Sequence, residues 1–562
     1  MKILIVGGVA GGATAAARLR RLDEHAEIIM FERGEYISYA NCGLPYYIGG
    51  TIQEKQALTL QTPEKFHTRY AVDVRIRHEV IEINPEEKYI TVTNLANQSV
   101  YQESYDKLIL SPGAEPLSPP LPGIDLDRVF KLRTIPDTLQ IDDFIKTHSP
   151  KTAVIVGGGY IGIEMAENLV DAGLTVTIVE HKNYVIGPLD YEMACIVNQY
   201  LRNKGIRLLL NNGVQGFYDD GNHLTVDLKD GSLQVDMALM AIGVRPDSVL
   251  AEKANLQLSN RGAIQVDQHM RTSNEHIYAV GDAIEVTQFV DGSKAYLPLA
   301  GPANKQGRIA ADHICGYDSR YKGTQGSSIL KLFDMTIAMT GLNERAAKAA
   351  CIDYDKLYVH SPSHAKYYPG ASEISIKVIF EKQTGRILGA QLIGGEGTDK
   401  RCDVLATAIR AGMTAFDLTE LELCYAPPYS SAKDPVNIVG YAIENILTEK
   451  VRQAHWQDLK EFTNDQRAKL LDIRTAREYA QGHIQESIHI PLDELRSQLH
   501  TLDKQNTYFV ICHSGQRSYN ACRILSQNGF ACYNISGGYQ LYHSILAEQM
   551  SQQTNCPSSL SV

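Results

Sequence analysis

The chain has 562 residues, 44% of them hydrophobic, and a formal net charge of −11 at pH 7. This length predicts roughly three to five domains of about 100–200 residues each. The negative charge argues against general nucleic-acid binding, and no apolar run reaches the ~18 residues of a membrane span. Ten scattered cysteines, with no CxxC pair and no zinc spacing, argue against a disulfide framework or a metal site and favour a reducing, cytoplasmic location.

The first residues predict a strand, a glycine-rich turn, a helix and a second strand. These elements are expected at 2–6, 7–12, 13–22 and 27–32. Backbone amides of such a turn can approach a pyrophosphate, which the N-terminus of the helix then faces. The turn departs from the GxGxxG pattern, because Val9 replaces the middle glycine and an extra glycine stands at 11. Glu32 ends the second strand, where a ribose diol would bind.

A single cysteine, Cys42, follows this unit in the run Ser-Tyr-Ala-Asn-Cys-Gly-Leu-Pro-Tyr at 38–46. The residues five positions to either side are Ile37 and Tyr47, so no CxxxxC pair can store electrons in an internal disulfide. A lone thiolate forms a mixed disulfide, a persulfide or a sulfenic acid instead. The alternative is a buried structural cysteine, as most cysteines are. The nucleotide motifs on either side favour the redox interpretation.

A second strand–turn–helix–strand unit is predicted at 153–156, 157–162, 163–172 and 175–180. Its turn, from Gly157 to Gly162, matches GxGxxG fully. Glu180 ends the second strand and favours NADH over NADPH, because a carboxylate disfavours a 2′-phosphate. Lys182 leaves some room for NADPH. For one such motif the alternative is a glycine loop without a ligand, but two motifs, each with its acid, argue against it.

The remaining chain shows two further patterns. Strands are predicted at 105–110, 238–242, 277–280, 373–380 and 387–393, and helices at 399–411 and 435–447. The polar segment 448–458, which holds Trp456, is predicted to be a linker or a short helix. An independent α/β pattern follows, with strands at 469–472, 507–512 and 531–535. The tail is expected to be frayed from about Glu548.

Two runs, YDKLILSPG at 105–113 and IYAVGDA at 277–283, complete a family resemblance. Together with the two glycine turns, they resemble the flavoprotein disulfide reductases with two dinucleotide sites, over about residues 1–447. The resemblance implies FAD on the first unit and NADH on the second. It implies FAD contacts by Gly7, Gly8, Ala10, Gly11, Gly12, Glu32, Arg33, Ser38, Asn41, Ser111, Gly113, Arg133, Asp282 and Ala300. It implies NADH contacts by Gly157, Gly159, Tyr160, Ile161, Gly162, Glu180 and Gly243.

The single cysteine resembles the coenzyme A disulfide reductase and NADH oxidase branch of that family. Thr14, Arg18 and Arg21 fall at i, i+4 and i+7 on one helix face, where a basic stripe could hold the phosphates of coenzyme A. A solvated helix face is the alternative for any one arginine. The coenzyme A candidates are Thr14, Arg18, Arg21, Ser38, Asn41, Asn304 and Lys433.

Two tyrosines complete the resemblance to the coenzyme A branch. Tyr367 lies in the run SHAKYYPG at 363–370, and Tyr425 begins the run YAPPYSSAKDP at 425–435. The resemblance implies that both tyrosines act in the active site of the partner subunit of a homodimer. A tyrosine hydroxyl near a reacting thiol can donate a proton to a leaving thiolate. As isolated aromatics, these residues would more often belong to a core or an interface.

The last α/β pattern resembles a rhodanese domain. The supporting runs are LDIR at 471–474, EY at 478–479, GHI at 482–484 and IPL at 490–492. The reactive loop would run from Cys512 through His513, Gly515 and Arg517 to Ser518. A cysteine on a strand-to-helix loop faces backbone amides and a helix N-terminus, which stabilise the thiolate and a bound sulfane sulfur, with Arg517 nearby. The alternatives are an inert core cysteine and the related phosphatases, whose cysteine-to-arginine loop is one residue longer.

The predicted fold is α/β: two Rossmann-like dinucleotide-binding domains for FAD and NADH, an α+β dimerisation domain and a C-terminal α/β rhodanese domain. The predicted boundaries are 1–149 and 246–322 (FAD), 150–245 (NADH), 323–447 (dimerisation), 448–460 (linker), 461–547 (rhodanese) and 548–562 (tail). We expect a homodimer through about 323–447 that acts on small sulfur compounds.

The predicted activity is NADH-dependent reduction of persulfide, polysulfide or disulfide sulfur through FAD and Cys42, with coenzyme A as carrier and Cys512 as a sulfane sulfur carrier. One alternative is an NADH oxidase or peroxidase that uses a sulfenic acid at Cys42, and the rhodanese pattern argues against it. The other is a non-enzymatic redox sensor or sulfur-carrier scaffold, and the two dinucleotide motifs argue against it.

Overall fold

The computed structural model describes residues 1–459 and 466–554, so the end of the predicted linker, the start of the predicted rhodanese domain and the last eight residues lie outside the described part. The chain forms two compact units. One contains residues 1–183 and 205–326, and the other contains 184–204 and the described residues from 327 onward. No helix in these described ranges is both long enough and apolar enough to cross a membrane.

The first 148 residues contribute strands to both parallel and antiparallel sheets. Its elements are β1 (Lys2–Val6), α1 (Ala10–Leu22), β2 (Glu27–Glu32), α2 (Leu44–Ile48), α3 (Pro63–Tyr70), β3 (Asp73–Ile76), β4 (His78–Asn84), β5 (Tyr89–Asn94), β6 (Ser99–Ser104), β7 (Lys107–Leu110), β8 (Ala114–Pro116), β9 (Val129–Lys131) and α4 (Ile135–His148). Strands β4, β5 and β6 form an antiparallel sheet of their own.

The next segment repeats the opening pattern. Its elements are β10 (Thr152–Val156), α5 (Tyr160–Asp171), β11 (Thr175–Glu180), α6 (Tyr191–Asn203), β12 (Arg207–Leu210), β13 (Val214–Asp219), β14 (Leu224–Leu228), β15 (Gly231–Val235), β16 (Met237–Met240), β17 (Val244–Pro246), α7 (Val249–Lys253), β18 (Ile277–Ala279), β19 (Val286–Thr287), β20 (Lys294–Ala295) and α8 (Ala300–Ile314). Strands β13, β14 and β15 form a second antiparallel sheet.

Two parallel five-stranded sheets carry the predicted dinucleotide units. Their strand orders are β18-β7-β1-β2-β3 and β12-β11-β10-β16-β9. The central strands are apolar along almost their whole length, as in parallel sheets that are covered on both faces. The two Rossmann-like folds are thus confirmed. One detail differs from expectation: Val129–Lys131 pairs with β16 and so belongs to the second sheet, although it lies within 1–149.

The second unit is built on an antiparallel sheet. Its first elements are β21 (Ser328–Leu332), β22 (Met335–Gly341), α9 (Glu344–Ala349), β23 (Tyr354–Pro362), β24 (Glu373–Glu381), β25 (Ile387–Gly394), α10 (Thr398–Ala411), α11 (Ala415–Glu420) and α12 (Pro435–Leu447). The strand order is β21-β22-β25-β24-β23, and α10 packs on β22 and β25. This arrangement is the expected α+β domain.

The C-terminal part of the second unit is a parallel α/β fold. Its elements are β26 (Gln453–Ala454), β27 (Ala468–Asp472), α13 (Ala476–Ala480), β28 (Ile488–His489), α14 (Leu492–Gln498), β29 (Thr507–Ile511), α15 (Gln516–Gln527), β30 (Ala531–Ile535) and α16 (Gly538–Thr554). The strand order is β26-β30-β29-β27-β28. The expectation of a linker or short helix at 448–458 is therefore wrong at Gln453–Ala454, which pair with β30 as an edge strand.

The expectation of a frayed tail from Glu548 is also wrong within the described residues, because α16 continues to Thr554. The Glu548 carboxylate is buried and accepts hydrogen bonds from both terminal nitrogens of Arg202 on α6. Helix α16 packs along α6 over much of its length. The Ser- and Gln-rich composition of this segment suggests exposure to solvent. It does not show that Glu548 pairs with an arginine far away in the sequence.

A buried lysine joins α6 to the antiparallel sheet. Lys377 on β24 is fully buried, and its Nζ lies 2.7 Å from Asp190 Oδ2. It also pairs with Glu192 and Glu344, and the Tyr358 hydroxyl donates to Glu192 at 2.6 Å. Burial lowers the pKa of Lys377, but the three carboxylates raise it by a larger amount, so its pKa lies above the ordinary value. The lysine therefore stays charged and neutralises the buried acids.

We predict that Lys377→Met lowers the free energy of unfolding by about 3–5 kcal/mol, because the buried carboxylates lose their counter-charge. The measurement is the denaturant midpoint followed by far-UV circular dichroism. The control is Lys382→Met, which removes an exposed ion pair with Asp353 of 3.0 Å and should cost about 0–1 kcal/mol. Equal midpoints for the two variants would contradict the assignment.

Candidate active site

The turns after β1 and β10 have the same backbone geometry. Gly7 and Gly157 have positive φ angles of 96° and 106°, in the region that favours glycine. A Cβ on Gly12 would lie 1.9 Å from the Gly7 carbonyl oxygen, and one on Gly162 would lie 2.0 Å from that of Gly157. Glycine is therefore required where each helix begins. The first turn keeps this geometry even though Val9 replaces the middle glycine, and both helix N-termini fit a pyrophosphate.

Each turn is tied to the acid that ends the next strand. Glu32 accepts a hydrogen bond from the Gly8 amide at 3.0 Å, and Glu180 accepts one from the Gly158 amide at 2.7 Å. The second oxygen of each carboxylate accepts from the amide two residues further on, at 2.8 and 2.9 Å respectively. A carboxylate has about four lone-pair sites. Each acid can therefore hold its own turn and still accept hydrogen bonds from a ribose diol.

Cys42 lies in the short helical turn Asn41–Gly43, which leads into α2. The residue is exposed, but enough protein surrounds the sulfur that desolvation raises the pKa of the thiol, and the charges of Glu164 and Asp282 raise it further. All nine cysteines of the described residues are free. Cys42 thus lies in the same compact unit as both glycine turns, without a cysteine partner.

Glu164 is a site residue that the sequence analysis missed. It lies on α5, two residues after Gly162. Burial and the nearby charge of Glu167 raise its pKa to about 7, although Tyr46 donates a long hydrogen bond of 3.5 Å to it. A carboxyl group with this pKa can both give and take a proton near neutral pH. The only available signal was an acid just after the second glycine motif, and a sequence does not show burial.

A buried polar pair lies near the end of the first sheet. Burial raises the pKa of the Asp282 carboxyl, and Arg133 opposes this shift. The Tyr296 hydroxyl is buried without a hydrogen-bond partner among the described residues, and the Asp282 charge acts on it. Buried polar groups are normally paired. A hydroxyl-rich ligand such as the ribityl chain of FAD fits this position because it would supply the missing partners.

The other FAD candidates are held by backbone and ion-pair contacts of the same unit. The Ser38 amide donates to the Gly8 carbonyl at 2.8 Å, and the Ser111 amide donates to that of Val6 at 2.7 Å. Arg33 pairs with Asp247 at 3.1 Å. Ala10 and Ala300 begin α1 and α8. Gly11 lies in the first turn of α1, Asn41 in the short helical turn Asn41–Gly43, and Gly113 between β7 and β8. The first unit therefore contains the whole predicted FAD set.

The predicted NADH residues lie in the second dinucleotide unit and in the connection that leads to β17. A Cβ on Gly159 would meet nothing within 4 Å, so the backbone is open to a ligand there. Tyr160 and Ile161 form the first turn of α5. Gly243, just before β17, has a φ of 118°. Tyr160 and Ile161 thus lie at the N-terminus of α5, and NADH contacts by the whole set stay a prediction.

The predicted coenzyme A stripe on α1 is partly occupied by contacts with α8. Thr14 Oγ1 donates to Asn304 Oδ1 at 2.6 Å, and Arg18 Nε donates to Asp312 Oδ1 at 2.6 Å. Only Arg21 is exposed. The Arg18 charge is therefore paired with an acid on α8, and phosphate binding by this stripe stays a prediction. Thr14 and Asn304 are in contact, so their hydroxyl and amide groups could bind the same ligand.

The two candidate tyrosines meet on the second unit. The hydroxyls of Tyr367 and Tyr425 lie 3.0 Å apart, and the residues are 75% and 48% exposed. Arg401, which the sequence analysis missed, holds their two loops together: its guanidinium donates to the Ser363 carbonyl and to Asp434, both at 2.9 Å. Lys433 is exposed beside this point. The sequence analysis identified both tyrosines, which are 58 residues apart in the chain. It did not show that a buried arginine holds their two loops together.

Cys512 directly follows β29, at the carboxyl edge of a parallel sheet, and is fully buried. Its sulfur accepts a hydrogen bond from the Gly515 amide at 3.0 Å and one from Ser518 Oγ at 3.3 Å. Gly515 has a φ of 98° and caps α15. Donors fixed by the loop therefore point at the sulfur, and they would stabilise negative charge on it or on a bound sulfane sulfur.

Arg517 is held differently from expectation. Its guanidinium donates to both oxygens of Glu478, at 2.8 and 2.5 Å. The arginine lowers the pKa of Glu478 to about 2. This ion pair ties the start of α15 to α13, and the charge of Arg517 still interacts with the Cys512 sulfur. Its role in sulfur binding stays a prediction. His513 contributes its carbonyl oxygen to the Gln540 amide at 3.0 Å.

Three family models match the chain. Residues 1–307 match the pyridine nucleotide-disulphide oxidoreductase model, 327–435 match the dimerisation domain of that family, and 455–545 match the rhodanese-like domain. The coenzyme A disulfide reductase of Staphylococcus aureus (strain JH9) is 39% identical over 443 residues, which are 78% of this chain and 99% of the relative.

Two solved structures are similar over nearly the full length. Reduced Bacillus anthracis CoADR-RHD is 50% identical with a TM-score of 0.95, and the match covers 97% of this chain and 98% of that chain. An NAD-dependent persulfide reductase from A. fulgidus is 36% identical with a TM-score of 0.90, over 96% of this chain and 100% of that chain. With its two glycine turns and the matching dimerisation and rhodanese-like domains, this chain belongs to the pyridine nucleotide-disulphide oxidoreductase family.

Proposed function

We propose that this chain uses NADH to reduce coenzyme A disulfide or coenzyme A persulfide through FAD and Cys42. Membership of the family implies FAD and NAD(H) as cofactors, and two relatives are named for coenzyme A disulfide and persulfide reduction. The observation that carries the proposal is the placement of Cys42: a lone thiol, in one unit with both dinucleotide turns, on which Glu164 and Asp282 act.

In this proposal each of the two glycine turns binds one cofactor. FAD is held by the Gly7–Gly12 turn, Glu32 and Asp282, and NADH by the Gly157–Gly162 turn and Glu180. The acid at Glu180 favours NADH, because a 2′-phosphate beside a carboxylate is repelled. FAD, when bound, transfers the two electrons of the NADH hydride to the sulfur centre.

Cys42 performs the sulfur chemistry. Its thiolate attacks the coenzyme A-bound sulfur of the substrate, so that a mixed disulfide forms while the substrate S–S bond breaks and releases a thiolate or hydrosulfide. Two electrons then cleave the mixed disulfide and return the Cys42 thiolate and a coenzyme A thiol. In sum, NADH, one proton and coenzyme A persulfide give NAD⁺, coenzyme A and hydrogen sulfide. Polysulfide would react in the same way.

Glu164 is proposed to hold the proton that this cycle consumes. Its pKa of about 7 lets it exist in both protonation states at neutral pH. When ionised it disfavours the Cys42 thiolate, and when protonated it does not. Proton uptake by Glu164 and thiolate formation at Cys42 are therefore coupled.

Coenzyme A is proposed to bind through Thr14, Arg21, Ser38, Asn41 and Asn304. Arg18 would join them through the guanidinium nitrogens that Asp312 leaves free. The substrate contact of Lys433 stays a prediction. The dimerisation domain supports a homodimer, in which Tyr367 and Tyr425 of one subunit would act at Cys42 of the partner subunit. The predicted domain boundaries and the cytoplasmic location stay predictions.

The rhodanese-like domain is proposed to carry sulfane sulfur on Cys512 and to supply it to the reductase. The alternative activity is an NADH oxidase or peroxidase acting through a sulfenic acid. That reaction involves no sulfane sulfur, so the rhodanese-like domain would have no part in it. Steady-state NADH oxidation should therefore be compared side by side with coenzyme A persulfide, coenzyme A disulfide, polysulfide and oxygen. Oxygen consumption that matches NADH oxidation at saturating NADH would favour the alternative.

We predict that Cys42→Ser retains bound FAD and its reduction by NADH but loses at least about 10²-fold in turnover with every sulfur substrate, because a hydroxyl cannot form the mixed disulfide. Flavin bleaching and NADH oxidation are measured on the same sample. The matched control is Cys315→Ser, a half-buried cysteine of the same unit. Substantial persulfide turnover by Cys42→Ser would refute the role of Cys42.

The pH dependence of Cys42 reactivity tests Glu164. Above pH 7 the ionised Glu164 raises the pKa of the Cys42 thiol, so Glu164→Gln should lower that pKa and speed alkylation by iodoacetamide at pH 8 by up to about tenfold, the effect of one pKa unit. Below pH 6, where Glu164 is protonated, the two rates should converge. The exposed variant Glu86→Gln serves as the control. A constant rate ratio across this range would mean that Glu164 does not act on Cys42.

Mixing subunits tests the shared site. A Cys42→Ser chain and a chain with both Tyr367→Phe and Tyr425→Phe should each be inactive as homodimers, yet mixed dimers should regain activity, because one of their two sites is intact. In statistical mixing about a quarter of the wild-type activity is expected. No recovery, with subunit exchange demonstrated by mass spectrometry, would count against sites shared between subunits.

Cys512→Ser should abolish sulfur transfer from thiosulfate to cyanide while leaving reduction of coenzyme A disulfide within about twofold of wild type. The reason is that the Gly515 amide and the Ser518 hydroxyl lie at the Cys512 sulfur, whereas reduction of coenzyme A disulfide is proposed to use Cys42. Both assays are run on the folded, FAD-loaded protein. If all reductase activities fell equally, Cys512 would belong to the reductive cycle itself.

A further inference from the structure

A second pair of sulfur atoms lies behind the Cys512 loop. Cys522 on α15 and Cys532 on β30 are 2% and 8% exposed and belong to the same apolar cluster as Cys512. The Cys532 thiol donates a hydrogen bond to the Cys522 carbonyl oxygen at 3.4 Å, so its sulfur lies against the backbone of Cys522, and each thiol influences the pKa of the other. Nine residues separate the two cysteines, so no CxxC motif marks them in the sequence.

The two thiols have unequal surroundings. The hydrogen bond from Cys522 lowers the pKa of Cys532, and the guanidinium groups of Arg452 and Arg523 lower it further. Burial raises the pKa of Cys522, which keeps its proton and acts as the donor. A thiol with a lowered pKa beside a protonated thiol is the arrangement of a nucleophilic cysteine and its resolving partner.

The pair is connected to Cys512 through the elements that hold its loop. Ser518 and Cys522 are four residues apart and share one face of α15, while Cys532 and Asn534 are two apart and share one face of β30. Ser518 donates to the Cys512 sulfur at 3.3 Å, and Asn534 donates to the Gly515 carbonyl at 3.2 Å. A covalent link between Cys522 and Cys532 would therefore join the two elements that position the donors to Cys512.

We propose that Cys522 and Cys532 form a reversible disulfide that is closed by hydrogen peroxide and that lowers sulfur transfer at Cys512. The effect on transfer rests on the proposed role of Cys512, whereas closure of the disulfide does not.

The reaction balances with peroxide as the only oxidant. The Cys532 thiolate attacks one peroxide oxygen, the O–O bond breaks, and the hydroxide that leaves takes a proton to become water, so that Cys532 becomes a sulfenic acid. The Cys522 sulfur then attacks the Cys532 sulfur. The S–O bond breaks, an S–S bond forms, and the oxygen leaves as a second water. The two thiols lose two electrons, which the peroxide gains.

Closure should disturb the Cys512 loop because a disulfide requires the two sulfurs to approach to about 2.05 Å, closer than any hydrogen-bonded contact. Helix α15 and strand β30 must then move together, and the Gly515 and Ser518 donors move with them. Loss of one hydrogen bond to a charged sulfur corresponds to about a tenfold or larger fall in transfer rate.

The experiment treats the full-length, FAD-loaded protein with increasing hydrogen peroxide, blocks free thiols with N-ethylmaleimide and maps disulfides by mass spectrometry. Trypsin cleaves after Arg523, between the two cysteines, and a glutamate-specific protease cleaves after Glu548, which separates Cys532 from Cys556. Linked peptides that carry Cys522 and Cys532 are expected. Thiosulfate-to-cyanide transfer is measured on the same samples before and after dithiothreitol, which should restore it.

The variant Cys532→Ser distinguishes this effect from direct oxidation of Cys512. It cannot form the Cys522–Cys532 disulfide, but peroxide can still oxidise its Cys512. At the dose that links the pair in the wild type, Cys532→Ser should retain about tenfold more transfer activity than the wild type. Cys522→Ala provides a second variant without the pair, and Cys402→Ser, a buried cysteine on α10, should behave as wild type. Absence of linked peptides would overturn the disulfide site. Linked peptides with equal activity losses in wild type and Cys532→Ser would overturn its control of Cys512.

Discussion

The close approach of each helix N-terminus to the preceding strand end is the constraint on which the rest of the reductase unit depends. Gly12 and Gly162 lie so near the carbonyl oxygens of Gly7 and Gly157 that no side chain fits. The acids at Glu32 and Glu180 then bond the turn amides and fix the strand on the other side. With both turns fixed, Cys42 and Glu164 lie within electrostatic reach of each other.

The two sulfur centres of the chain are prepared in opposite ways. Around Cys42, desolvation and two carboxyl groups raise the pKa of the thiol, so that its thiolate depends on protonation of those carboxyls and on the positive groups of a bound substrate. Around Cys512, fixed donors from Gly515 and Ser518 already point at the sulfur. A thiol that reacts only when substrate and cofactor are in place suits a reductase, and a preorganised one suits a sulfur carrier.

The sequence predicted the periodic features well and the contacts between distant residues poorly. Strands such as Lys2–Val6 and Thr175–Glu180 were predicted to the residue, because glycine turns and acids bound them on either side. Lys377 with its acids, the Arg401 contacts and the Cys522–Cys532 pair all join different elements that are separated along the sequence. The edge strand at Gln453–Ala454 was missed because two residues carry no period.

The same limit explains two ion pairs that the sequence did not predict. Arg18 and Arg517 were identified by type and spacing, which indicate a positive charge but not its partner. Asp312 and Glu478 neutralise them from other elements. Glu164 was missed for the converse reason: its pKa of about 7 comes from burial, and the sequence shows only a carboxylate on a helix.

The most direct test of the account is the mass of the peptide Gly34–Lys55, in which Cys42 is the only cysteine. Reduced, FAD-loaded protein is mixed with coenzyme A disulfide in the absence of NADH, quenched in acid and digested, and a second sample receives NADH before the quench. The account predicts a coenzyme A adduct on Cys42 in the first sample and its loss in the second. An unmodified Cys42, or a sulfenic acid with oxygen consumption in place of the adduct, would contradict it.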